Sequence, residues 1–256
     1  MSIWVNGNQN RIFINTTIGC KARCVYCYLP EIGLSDNLQF SSVDSIINEL
    51  ESLQYFIKGP TGTVLSIGCY SECWADYNRS MTIELLKRLV EYGNYIQFAT
   101  KKEIDTNDLL RLDNIATFKN QIGIFISTPT ISNVNKLEKG TDPIERRLLP
   151  FKMTPALRKL YLVLYIKPVI SGITIKDLKF YDTFLGQNDI KCVVGSLLEI
   201  TGDNQEVSVG IHSFNEYYSE EETVIISKLG KKRLVFRHSV DLIDYLRSYD
   251  ESKHIF

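Results

Sequence analysis

Short apolar runs alternate along the chain with segments whose apolar residues recur every three or four positions, the periods of buried strands and of one-sided helices. RIFINTTIG (Arg11–Gly19) reads as the first strand. The following SSVDSIINELESLQYFI opens on a serine cap and puts Val43, Ile46, Ile47 and Leu50 on one helix face. TVLSIG (Thr63–Gly68) is a second strand, followed by the loop CYSECWADYNRS and a helix, MTIELLKRLVEYG, that stops at Gly93. YIQFATK (Tyr95–Lys101) is a third strand and IDTNDLLRL a short helix. QIGIFIS (Gln121–Ser127) is a fourth, leading through the loop TPTISNVNKLEKGT to the helical DPIERRLLPF. LYLVLYIKPVI is a fifth strand, TIKDLKFYDTFLG a helix, and IKCVVGSLLEI (Ile190–Ile200) a sixth strand.

Strands this apolar are too oily to be half exposed, so the alternation predicts an α/β fold with a parallel sheet covered by helices. Six strand–helix units are too few for an eight-fold barrel, and an open, partial (β/α)6 TIM-like barrel is expected. Ligands of such sheets bind at the C-terminal ends of the strands. After Ile200 the pattern changes. TGDNQEVSVGIHSFNEYYSEEE reads as an acidic loop, TVIISKLGKKRLVFRHS as a hairpin around Gly230, and VDLIDYLRS as a closing helix. The expected division is a core domain over residues 1–200 and a small C-terminal extension over 201–256 that adds substrate contacts.

Composition narrows the partners. The 256 residues carry a net charge of −1, which gives no overall field to hold nucleic acid. The longest apolar run, LYLVLYI, is too short to span a bilayer, and MSIWVNGNQNR has neither a basic start nor a long apolar stretch. A cytoplasmic protein without a membrane partner is expected, with its six cysteines kept reduced.

Three of those cysteines, Cys20, Cys24 and Cys27, lie in GCKARCVYCYL, directly after the first strand. Closely spaced thiolates form a soft-metal site, and cysteine is the usual ligand of iron–sulfur clusters. Three ligands on a four-iron cluster leave one iron open, as a catalytic metal keeps an open position. A zinc ion shared with Cys69 and Cys73 is the alternative, although zinc sites favour C-x2-C pairs and this second pair is C-x3-C.

With Tyr26 before the last cysteine, C-x3-C-x2-C resembles the signature of radical S-adenosylmethionine (SAM) enzymes. Further blocks at successive strand ends resemble the spore photoproduct lyase family within that superfamily: LSIGCYSE, IQFATKKE, GIFISTPT with KLEKGTDPIERRL, and LYIKPVISG. The resemblance runs from Arg11 to Gly172. It implies a partial barrel carrying a 4Fe–4S cluster on Cys20, Cys24 and Cys27. It also implies reductive cleavage of SAM to a 5′-deoxyadenosyl radical, hydrogen abstraction from an organic substrate, and a flavodoxin- or ferredoxin-class electron donor. Tyr26 would then lie near the adenine, and Lys101 and Ser127 at the ribose or methionine carboxylate. Ser71 would reach the methionine end, and Ile170, in the Pro168-x-Ile170-x-Gly172 turn, would pack the adenine. Cys69 would return a hydrogen atom to the product radical, with Tyr28 beside it as the second catalytic residue.

The chain also departs from that family. Its tail is short, with a basic cluster of Lys228, Lys231, Lys232, Arg233, Arg237 and His238. SIGCYSE stands where a glycine–glycine–glutamate turn is common in the superfamily. Two substrate classes follow: a nucleobase or nucleotide, free or within nucleic acid, and a small metabolite or peptide. A zinc- or cluster-stabilised binding protein without catalysis is the third reading. Cys73, Trp74 and Cys192 read as packing residues. Glu138 and the Glu145–Arg146–Arg147 run read as a solvated helix face, with Arg147 kept as a candidate anion site.

Overall fold

In the computed structural model, which describes residues 2–34, 36–195, 197–198 and 219–251, the six expected strands form in chain order. They are β2 (Arg11–Ile14), β3 (Val64–Ile67), β4 (Ile96–Thr100), β5 (Ile122–Ser127), β6 (Leu160–Ile166) and β7 (Lys191–Val194). Each pairs in parallel with the next. β1 (Val5–Gly7), antiparallel to β2, escaped the sequence pattern because it is so short, and β8 (Val235–Phe236), within the second strand of the expected hairpin, lies parallel to β7. The resulting eight-stranded sheet keeps the order β1 to β8, an open barrel wall.

Parity sorts the two faces. Ile12, Ile14, Leu65, Ile96, Phe98, Ile122, Ile124, Leu162 and Leu164 point outward into the larger apolar core. There they meet the buried faces of α1 (Val43–Ser52), α2 (Arg79–Leu89) and α3 (Thr106–Ile115). Ser42 caps α1 by accepting from Ser45 N at 3.1 Å, and Val43, Ile46, Ile47 and Leu50 are its buried residues, as their spacing requires. Next come α4 (Ile144–Leu148), continued by a 3-10 stretch, and α5 (Leu178–Gln187). The alternate strand residues Val64, Tyr95, Phe125, Tyr161, Val163 and Val193 point inward and form a second core.

The C-terminal part corrects the sequence reading. The expected hairpin around Gly230 is a helix, α6 (Glu220–Gly230), followed by β8. The β-branched run Thr223–Ile226 suggested a strand, but Ser219 and Glu222 close a capping box that starts a helix, and Ile225 and Leu229 bury one side of it. β8 then joins the main sheet instead of pairing with a neighbour in sequence. The closing helix is present as α7 (Ser239–Glu251), and its Leu242, Ile243 and Leu246 pack on the inward core as the barrel floor. Arg247 pins it there, donating to the carbonyls of Pro60 (3.0 Å) and Gly62 (2.6 Å) ahead of β3. The acidic segment 201–218, and Glu199 and Ile200 of the expected sixth strand, lie outside the described residues. Among the described residues no helix is long and apolar enough to cross a membrane.

Candidate functional site

β2 delivers the chain to the cysteine loop at the C-terminal end of the sheet, and the loop is held from two sides. On one side Gly19 N donates to Tyr70 O (3.0 Å), and the Tyr28 hydroxyl donates to the carbonyl of Cys69. On the other side lies the segment between β5 and α4. Val25 N donates to Leu137 O (2.8 Å), Cys24 bridges Glu138, and Gly140 N donates to Ala22 O (2.8 Å). Gly140 is required by this approach: a Cβ there would stand 2.7 Å from Ala22 Cα, Ala22 O and Lys21 O.

The Tyr26 ring packs against Ile170, with Cys24, Leu137 and Ile173 around the pair. Its hydroxyl donates to Glu138, which is also ion-paired with Arg147 at 2.6 Å. Glu138 is 1% and Arg147 0% exposed, so neither belongs to a solvated helix face, and that expectation is corrected. The guanidinium of Arg147 is taken up by Glu138, Thr141 Oγ1 and the carbonyls of Asp142 (2.7 Å) and Ser127 (3.2 Å). It has become a structural brace, fully engaged within the protein.

Lys101 directly follows β4, with its ammonium 5.7 Å from the centre of the Tyr26 ring. Burial pulls its pKa down, but Cys24, Glu138 and Glu72 outweigh that and leave it raised, so the group is a fixed cation beside the cysteines. Glu72, from the loop after β3, is itself buried, accepting from Thr100 Oγ1 (2.6 Å), Lys101 N (2.8 Å) and Trp74 N (3.2 Å). Sequence reasoning passed over this carboxylate as a site residue; the signal was an acid directly before the apolar Cys73–Trp74 pair.

The other expected residues lie on the same rim. Ser127 is buried and donates to Lys167 O (3.3 Å), and Ser71 accepts from Asn78 Nδ2 (3.2 Å). Cys69 keeps partial exposure, and its sulfur accepts from Asn15 Nδ2 at 3.5 Å. Burial pushes the Cys69 thiol up to about 11, with Asn15 and Arg11 opposing the rise, so it is a protonated S–H near neutral pH. Cys73 is different: it is fully buried, with its sulfur toward Ala99 O at 3.6 Å, while Trp74 stacks on Phe98 at 5.3 Å. Cys192 is likewise in the core.

The three loop cysteines are all half-exposed and near enough to perturb one another. Burial pushes the Cys24 thiol up to about 12; Glu138, Cys27 and Cys20 add to the rise and Lys101 opposes it. Burial also raises Cys27. Thiols raised by burial, as Cys24 and Cys27 are, need metal charge to become thiolates. Among the described residues no three His, Cys, Asp or Glu side chains converge on one ion position. Thiolates that each bind a different iron do not have to converge, so the donor set fits a cluster, whereas a zinc site needs its four donors around one ion.

No family model and no curated protein matches the sequence. Solved structures do match. A spore photoproduct lyase with bound AdoMet and dinucleoside spore photoproduct aligns over 87% of this chain and 62% of its own, at 16% identity and a TM-score of 0.54. SuiB of Streptococcus suis bound to S-adenosylmethionine aligns over 90% of this chain and 50% of its own, at 12% identity and a TM-score of 0.57. Methylornithine synthase aligns over 89% and 64%, at 16% identity and a TM-score of 0.55. The chain therefore spans between half and two thirds of these proteins, all radical SAM enzymes, and shares their fold.

Proposed function

We propose that this chain is a radical SAM enzyme acting on an organic substrate held in the barrel mouth. The observation that carries the reading is the loop of Cys20, Cys24 and Cys27, seated at the C-terminal sheet end of a radical SAM fold and braced by buried contacts. Cys20, Cys24 and Cys27 would hold a 4Fe–4S cluster, with Tyr26, Ser71, Lys101, Ser127 and Ile170 around SAM. When bound, the two cofactors supply a reductively generated 5′-deoxyadenosyl radical.

The protein's own residues have separable tasks. Lys101 holds a positive charge beside the cysteine loop, which offsets the negative charge of thiolates and suits a carboxylate ligand. Tyr26 and Ile170 offer an apolar wall. Cys69 offers a neutral S–H whose sulfur accepts from Asn15, and Tyr28 fixes the backbone that carries it. A thiol in that state can return a hydrogen atom to a carbon radical, and the resulting sulfur radical then needs one electron and one proton from the reducing system. The nucleotide and the metabolite or peptide readings would share this one site. A cytoplasmic location and an electron donor of the flavodoxin or ferredoxin class complete the proposal.

Iron analysis of anaerobically reconstituted variants tests it. Replacing Cys20, Cys24 or Cys27 by alanine should remove iron and the cluster absorbance together, while Cys69→Ala keeps both. Full iron content in Cys24→Ala, or loss of iron in Cys69→Ala, contradicts these assignments.

A further inference from the structure

The inward face of the barrel is unusual in its charge. Arg11, the first residue of β2, turns its side chain into the barrel, donates from Nε to Ser66 Oγ (2.8 Å) and lies 4.5 Å over the Phe13 ring. Ser66 also accepts from Gln97 Nε2 at 2.8 Å, and the other end of that buried amide, Gln97 Oε1, has no partner. Among the described residues no carboxylate lies within ion-pair distance of Arg11. Burial accordingly depresses its pKa, relieved in part by Tyr165 and Cys69.

The surroundings add positive charge. Lys167 follows β6 and His238 follows β8; both lie within electrostatic reach of one another, and His238 within reach of Arg11 and Arg237. The acid acting on His238 is Asp241, which caps its backbone N–H at 3.0 Å. The basic run noted in the tail is thus divided by the fold. Lys228, Lys231 and Lys232 are exposed around the end of α6, and Arg233 pairs with Asp182 at 2.8 Å on the outside. The strand then carries Arg237 and His238 to the barrel mouth.

A half-buried guanidinium with Nε already used, its face stacked and its Nη edge without a protein acid is shaped for a two-pronged bond to an oxyanion. We propose that the Nη edge of Arg11 receives a carboxylate or phosphate of the substrate inside the barrel, next to Cys69, with Gln97 Oε1 accepting from a donor on the same molecule. The substrate class is therefore anionic. This rests on the radical SAM reading only for the word substrate; the oxyanion site itself is a property of the folded chain.

The test is a calorimetric titration of SAM-loaded, reconstituted wild type, Arg11→Lys and Arg11→Gln with inorganic phosphate, and in a second arm with acetate, at ionic strength fixed with chloride, with an NMR titration of the wild type alongside. The 15N signal of the Arg11 side chain, identified by its loss in Arg11→Lys, is followed. A saturable shift in either arm supports the site, and the stronger arm identifies phosphate or carboxylate as the preferred group. Arg11→Gln should weaken that binding about ten- to hundred-fold, the worth of charge-assisted hydrogen bonds. Arg11→Lys, which keeps the charge, should weaken it less and covers the case in which the glutamine variant does not fold. No shift beyond the chloride control in both arms, or equal binding by wild type and Arg11→Lys and Arg11→Gln, overturns the inference. Failure of the radical SAM reading is seen separately, as wild-type protein that does not cleave SAM.

Discussion

The strongest single-residue consequence concerns Glu138 and Arg147. Two charges with no solvent access are stable only because each is fully engaged, so removing one leaves the other buried and unpaired. Arg147→Met should lower unfolding free energy by about 3–5 kcal/mol in urea melts. The double variant Glu138→Gln/Arg147→Met should lose less than the sum of the two singles, and strict additivity would show that the pair is not coupled. The sequence singled out both residues, within KLEKGTDPIERRL, but not as a pair. Glu138 sits in a polar stretch and Arg147 in a charged run, and what buries them is contact with Tyr26, 112 positions away from Glu138. The loop cysteines were legible as a candidate metal site because that reading lies in local spacing; the brace at Arg147 was not, because it joins the end of β5 at Ser127 to the turn 138–142 through contacts that show only in the fold.

At the scale of elements, the sheet was legible wherever both faces are covered, since such strands are continuous apolar runs bounded by polar turns. Arg11 opens the first of those runs, and a lone arginine there gave no sign that it turns inward to Ser66. α6 was misread because its β-branched residues favour a strand, whereas the deciding signal, the Ser219–Glu222 capping box, lay at the edge of an acidic tract. The docking of the cysteine loop on the segment after β5 is the element-level contact that matters most to the site. Gly140→Ala puts a methyl group against the backbone of Lys21 and Ala22 and should displace the loop between Cys20 and Cys24. The expected result is reduced iron uptake with unchanged far-ultraviolet circular dichroism. Iron uptake equal to wild type would show that the loop does not depend on this approach.

Over the described residues the molecule is an open barrel wall with an apolar floor and Arg11 on its inner face, and its rim carries the loop of Cys20, Cys24 and Cys27. α7 closes the bottom, and the outer helices bury the other face, so the C-terminal rim is where chemistry has access. The barrel was foreseeable from the alternation of strands and helices, but its closure was not, because β8 and α7 act through long-range contacts with β7 and the inward core. The most direct test of the central claim is product analysis of anaerobically reconstituted protein given SAM and dithionite. The account predicts about four iron and four sulfide per chain and formation of 5′-deoxyadenosine with methionine, even in slow turnover without substrate. Protein that holds one zinc in place of the cluster, or that holds the cluster and leaves SAM intact under these conditions, would contradict it.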